Sequence, residues 1–151
     1  MRSVLAIDPG KAGGIVGIQT DDLNGHAYSI HKMPDTVGDL VDILRTMRAE
    51  GWHTAYVERV ASSPQMGVVS AFTFGRGVGN IEAACQALGL RLEWVAPSVW
   101  QKAMGCLTKG DKNISKRRAQ ELFPAVKVTH ANADALLIAE YGRRLEATRT
   151  A

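Results

Sequence analysis

Apolar positions along the chain change their period several times, and each change marks an element. Residues 1–7 form a short apolar run stopped by Asp8-Pro9-Gly10, the pattern of a buried strand that ends in a turn. Residues 14–19 and 26–32 read as two further strands, and Asp22-Leu23-Asn24-Gly25 between them carries hairpin-turn chemistry. Over residues 36–50, Val37, Leu40, Val41, Leu44 and Met47 fall on one helical face, and Gly51 follows as a stop. Residues 54–60 are rich in β-branched and aromatic side chains and read as a strand with Glu58 near its far end. After a polar stretch at 61–66, a helix is predicted over about 68–88, although Gly75, Gly77 and Gly79 weaken its middle. Residues 91–95 make a fifth strand, and Pro97 opens a short helix. A basic loop at 105–113 leads to a helix over 114–123, which Pro124 closes. The last helix is expected to begin near Thr129 and His130 and to run to about Leu145.

Strands joined by short turns favour antiparallel pairing, and strands separated by helices favour parallel pairing. The order therefore predicts an α/β fold: a mixed five-stranded sheet, three antiparallel strands followed by parallel ones, with helices on both faces. At 151 residues and 16.3 kDa the chain has room for one sizeable core and not for two, so a single domain over 1–151 is expected. Apolar residues at 46% and charged residues at 22% exclude a disordered or low-complexity chain. No apolar run approaches the ~20 residues of a membrane span, and the first apolar run meets Asp8 too early for a signal peptide. Cys85 and Cys106 supply no disulfide framework and no Cys-x-x-Cys pair, which fits packing roles in a reducing, cytoplasmic setting.

Charge is unevenly placed. Between Val99 and Arg118, Lys102, Lys109, Lys112, Lys116, Arg117 and Arg118 stand against Asp111 alone. Residues 35–50 run the other way, with Asp35, Asp39, Asp42 and Glu50 against Arg45 and Arg48. A polyanion on one side of the molecule would suit this asymmetry; a solvated lysine-rich surface is the plainer reading.

Three carboxylates are harder to explain as surface. Asp8 ends an apolar strand, where a charge is costly without a cation, although Asp-Pro-Gly is also ordinary turn chemistry. Glu58 ends the run Ala55-Tyr56-Val57. Asp134 interrupts the apolar stretch 133–139, and His130, four residues earlier, falls on the same face of the expected helix. Converging acidic groups with a histidine make a hard-ligand site for Mg²⁺ or Mn²⁺. Two such ions ~4 Å apart can stabilise both the attacking and the leaving oxygen of a phosphodiester.

Ala6-Ile7-Asp8-Pro9-Gly10 with Gly13-Gly14, then Tyr56-Val57-Glu58, then Ala133-Asp134-Ala135-Leu136 resembles the RuvC family of Holliday junction resolvases, in the RNase H-like superfamily. The segments 72–79 and 135–144 look closest to the compact phage and prophage members, and the resemblance spans residues 4 to about 144. It implies an RNase H-like fold with Asp8, Glu58 and Asp134 as catalytic, metal-holding acids. The family's fourth position lies three residues before the last aspartate, where this chain has Ala131, so His130 at minus four is expected to take that role, as metal ligand or as general acid/base. Lys116 matches a lysine kept near the active site.

By the same resemblance the cofactor is Mg²⁺, two per site, with Mn²⁺ able to substitute. Water attacks in line and leaves 5′-phosphate ends. The glycine-containing helix packs against its copy in a homodimer, and paired nicks resolve a four-way DNA junction in recombination and repair. Phe72 and Phe74 are then candidates for stacking on bases, or else for core or dimer packing, with Arg76 on a phosphate. Lys102, Lys109, Lys112, Lys116 and Arg117 fit phosphate contacts. Trp94 and Trp100 read as core. Two further readings stay open: a phage nuclease that debranches Y-forms and flaps, and a non-catalytic junction-binding protein of the same fold. A sugar kinase or ATPase of the actin type also begins with Asp-x-Gly but needs two such domains.

Overall fold

A computed structural model describes residues 2–151, and the architecture follows from its central strand, β1 (Arg2–Asp8). Met1, which the sequence places at the start of that strand, lies outside the described residues. Val4 and Ala6 pack into one layer, Leu5 and Ile7 into the other. Successive strand side chains point to opposite faces, so a strand covered on both sides must be apolar at every position. That is the physical origin of the uninterrupted apolar run.

β2 (Gly14–Asp21) pairs antiparallel with β1, and β3 (Gly25–Lys32) pairs antiparallel with β2. On the other edge, β4 (Thr54–Glu58) lies parallel to β1, and β5 (Arg91–Val95) parallel to β4. The sheet order is β3-β2-β1-β4-β5, the mixed five-stranded arrangement the element order predicts. Helices α1 (Val37–Ala49) and α2 (Val68–Ala87) are the crossovers, and Leu40, Leu44, Met47, Ile81 and Ala84 cover one face. Helices α3 (Pro97–Ala103), α4 (Lys112–Leu122) and α5 (Ala133–Arg149) cover the other through Trp100, Met104, Ala119, Leu136 and Leu137. Cys85 and Cys106 are buried and unbonded, as expected of packing residues, and burial pushes the Cys85 thiol up to about 12. Among the described residues no helix is long and apolar enough to cross a membrane.

Three elements differ from the sequence reading. α2 runs unbroken through Gly75, Gly77 and Gly79, and a Cβ at any of them would meet nothing within 4 Å. The close approach those glycines suggested thus has no counterpart inside the chain. The front half of α2 stands free instead, with Val68 88% and Phe72 73% exposed. α4 begins at Lys112, two residues early, because Asp111 caps it by accepting the Asn113 N–H at 3.0 Å. Lys112 is therefore a helical residue of the first turn and not part of a loop.

The third difference is α5, which begins at Ala133 and not near Thr129–His130. Residues 130–132 form a turn held by Asn132, whose Oδ1 accepts the Thr129 N–H at 2.8 Å and whose amide donates to the Lys127 carbonyl at 3.1 Å. His130 thus stands in a turn, off the helical face on which the spacing put it. At its far end α5 continues past Leu145 to Arg149, because Glu146 accepts from the Tyr56 hydroxyl at 2.5 Å and from Arg91, and Arg149 reaches Glu93 at 3.0 Å.

Gly142 lets α5 lie this close to the sheet. A Cβ there would sit 2.5 Å from Cδ2 of Tyr56, a ring that is itself buried and fixed by Glu146. Alanine is the better helix former by about 1 kcal/mol, but overpacking costs about 1–3 kcal/mol. Gly142→Ala should therefore lower the urea midpoint of unfolding; an unchanged or raised midpoint would show that the ring can move aside.

Candidate active site

The parallel register Leu5↔Ala55, Ala6↔Tyr56, Ile7↔Val57 brings Asp8 and Glu58 level with each other, one step beyond the last paired residues. Ala6 and Tyr56 both face the α5 layer, so by the two-residue period Asp8 and Glu58 do too. Both stand at the carboxyl ends of adjacent parallel strands, where ligand sites of open α/β sheets form. Asp134 arrives from the first turn of α5.

Asp8 and Glu58 each feel neighbouring carboxylate charge. Burial, then the charges of Glu58 and Asp134, push the Asp8 carboxyl up to about 8, with Lys112 pulling the other way. Burial, with Asp134, also raises Glu58, opposed by a hydrogen bond from Trp100 and by Lys112. That bond runs from Trp100 Nε1–H to Glu58 Oε2 at 2.7 Å.

The turn that delivers Asp134 is wedged against β2. A Cβ on Gly14 would lie 2.7 Å from the Ala131 carbonyl oxygen and 2.9 Å from that of His31, so only glycine admits the turn at this depth. His130, at the tip of the turn, is exposed. The lysine whose charge reaches Asp8 and Glu58 is Lys112; Lys116, one turn further along α4, is half-buried. Lys102, Lys109 and Arg117 are exposed, as phosphate contacts require, and Lys109 holds a positive φ of 48°. Arg118, by contrast, is committed to the fold, donating to the Met104 carbonyl at 2.7 Å and pairing with Glu121.

On the other side of Asp8, the β1–β2 turn, the loop before α1 and the face of α2 enclose an open groove of about 810 Å³. Lys11, Phe74, Arg76 and Asn80 line it, and none of the three carboxylates does. Phe74 lies over Gly10, with Cε2 3.2 Å from the position a Cβ would take, whereas Phe72 is exposed. Trp100 is in the core, as read, and Trp94, half-buried, packs against the core on the opposite face of the sheet. The contact of Trp100 with Glu58 is new: no periodicity joins a residue of α3 to the end of β4. Only the pairing of β5 beside β4, with Glu58↔Val95, brings the next helix there.

The donor set suits a hard divalent cation: carboxylate oxygens in excess of positive charge, one of them mostly buried, with no hydrogen bond relieving Asp8 among the described residues. Among those residues no three His, Cys, Asp or Glu side chains stand close enough together to hold an ion as they are, so the carboxylates would have to move together to hold one.

Two solved structures share this arrangement of elements. Thermus thermophilus RuvC in complex with Holliday junction substrate superposes with a TM-score of 0.65 at 16% identity, covering 91% of this chain and 90% of that one. A second Thermus thermophilus RuvC structure gives 0.64 at 18% identity, covering 91% of each chain. The chain has the RuvC fold. The RNase H-like sheet and helices expected from the sequence are thereby found, while no family model and no curated protein sequence matches the chain.

The electrostatics of the RuvC-like sheet end are testable without substrate. The native Asp8 carboxyl keeps its proton up to about pH 8, whereas in the unfolded chain it loses it near its ordinary value of 3.8. Between these values the native state binds more protons, so stability without divalent ions should fall as pH rises from about 4 to about 8. Asp8→Asn should flatten that slope and raise the thermal midpoint at pH 8 in EDTA by at least about 2–4 °C, the effect of roughly 1 kcal/mol in a chain of this size. A midpoint lowered by the substitution would show that Asp8 is not strained.

Proposed function

We propose that the chain is a divalent-metal-dependent endonuclease that cuts branched DNA and, as a homodimer, resolves four-way junctions by paired nicks. The observation that carries the reading is the placing of Asp8, Glu58 and Asp134 at one end of a RuvC fold, where the charges of Glu58 and Asp134 both bear on the buried Asp8.

In this reading Asp8, Glu58 and Asp134 hold Mg²⁺, with Mn²⁺ as a substitute. A cation held there would supply charge neutralisation for in-line attack of water on the phosphodiester, and the products would carry 5′-phosphates. Lys112 lowers the charge of the site from the first turn of α4, and Lys116 lies behind it on the same face. In this reading His130, exposed in the turn ahead of Asp134, takes the fourth role, as metal ligand or as general acid/base. Lys102, Lys109 and Arg117 hold phosphates without reading sequence. Arg76 and Phe74 in the neighbouring groove, with Phe72 beside them on α2, contact the strand near the crossover.

Two-fold pairing through the free front half of α2 would cover Val68, Val69 and Phe72, the most exposed large apolar side chains of that helix, and set two sites on opposing strands.

The test is cleavage of an immobile four-way junction in Mg²⁺, beside linear duplex and Y-form controls. Symmetric paired nicks confined to the junction are expected, and they should vanish in Asp8→Asn, Glu58→Gln and Asp134→Asn. Disrupting the dimer with Val69→Asp should abolish paired resolution before it abolishes nicking. Equal cutting of Y-forms and flaps would replace the resolvase by a general debranching nuclease. Tight junction binding without cutting in either Mg²⁺ or Mn²⁺ would overturn the enzyme.

A further inference from the structure

We infer that Trp100 is a positioning residue for Glu58: its indole N–H holds one carboxylate oxygen and so fixes the orientation in which Glu58 meets a divalent cation. The inference rests on the proposed function for its catalytic consequence, but its structural part stands on the geometry alone.

Trp100 is fully buried, so its ring has no freedom to swing, and the N–H lies 2.7 Å from Glu58 Oε2. This is the one hydrogen bond to the Glu58 side chain among the described residues. Packing alone does not bring an acceptor to a buried indole in this protein. Trp52 is also buried, on the opposite face, and its Nε1 has no partner. A charged acceptor at one indole and none at the other marks the Trp100 contact as specific.

The fold explains how the contact arises. Glu58 pairs with Val95, and Ala96 then leads into Pro97 at the start of α3, so the ring of Trp100 swings back beneath the end of β4. The helix is pinned there by its own core residue Met104 and by Arg118, which donates to the Met104 carbonyl. A carboxylate turns easily about its last torsion. With Oε2 held by a donor that cannot move, Glu58 presents Oε1 in one orientation. Partners that orient a ligating group in this way typically contribute about 10–100-fold in metal affinity or activity.

Trp100→Phe keeps an aromatic ring and removes the donor. Mn²⁺ affinity by titration calorimetry should fall about 10–100-fold, and kcat on the four-way junction should fall with it, while KM for the junction stays unchanged. Loss of packing alone would lower the thermal midpoint but leave Mn²⁺ affinity and kcat as in the wild type, and that result would overturn the inference. A second readout needs no activity and no buried substitution. With ¹⁵N-labelled indoles, the Trp100 N–H resonance, assigned by elimination through Trp52→Phe and Trp94→Phe, should move in Glu58→Gln, where a neutral acceptor replaces a charged one. A resonance unmoved in that variant would overturn the contact, even if Trp100→Phe failed to fold. A wild-type protein that binds junctions without cutting them would defeat the nuclease reading, and the resonance would still decide the role of Trp100.

Discussion

The repulsion among three carboxylates at one end of a sheet buried on both faces is the constraint to which the rest of the structure answers. Asp8 and Glu58 are level because β1 and β4 run parallel in register, and they face the same layer because strand side chains alternate. Neither strand can twist away to relieve the contact, since Val4 to Ile7 and Ala55 to Val57 are packed from both sides. Asp134 is added by a helix fixed on the same sheet. Strain of this kind survives only where the surrounding packing over-determines it.

Helix α5 is fixed at both ends. Its start is set by Asn132, which ties the preceding turn to Lys127 and Thr129, and by Gly14, which admits the Ala131 carbonyl. Its far end is set by Gly142 against Tyr56 and by Glu146 joined to Tyr56, Arg91 and Arg149. Between them Glu140 is almost fully buried; burial pushes its carboxyl up, but Arg143 and Arg144, at 2.7–2.8 Å, more than offset this and hold it below the usual range. Buried ion pairs add little net stability compared with apolar packing, but a wrong register would leave a charge unpaired. On that argument the Glu146 cluster, which joins α5 to Tyr56 of β4 and Arg91 of β5, fixes where α5 sits along the sheet and hence where Asp134 stands, whereas Glu140 is paired within its own helix.

The strands and their order were legible because burial on two faces, hairpin turns and crossover helices leave separate traces in composition and period. The three carboxylates were legible for a related reason: an acid at the end of an apolar run is conspicuous. The start of α5 was not. Helical spacing suggests a start near Thr129, and the side chain of Asn132, which competes for the backbone groups, holds residues 130–132 as a turn. The same competition by Asp111 moved the start of α4 and put Lys112 beside the carboxylates. Trp100 was legible as core but not as a partner of Glu58, because their contact depends on β5 lying next to β4, a pairing that no local pattern encodes.

Charge sets a further condition on any reaction at this end of the sheet. Ionised carboxylates repel a phosphodiester, so the acidic end of the sheet does not by itself attract the substrate proposed for it. Attraction would have to come from outside the carboxylates, and the exposed Lys102, Lys109 and Arg117 could provide it on the α3–α4 side, with Lys11 and Arg76 across the groove. Such contacts act through the phosphate backbone and weaken with salt. Cation binding, as proposed, would depend instead on burial and on the Trp100 donor, both shielded from salt. Under the proposed function, holding DNA and cutting it would thus rest on two sets of residues with different physical sensitivities, and Lys112, exposed yet within reach of Asp8 and Glu58, would belong to both.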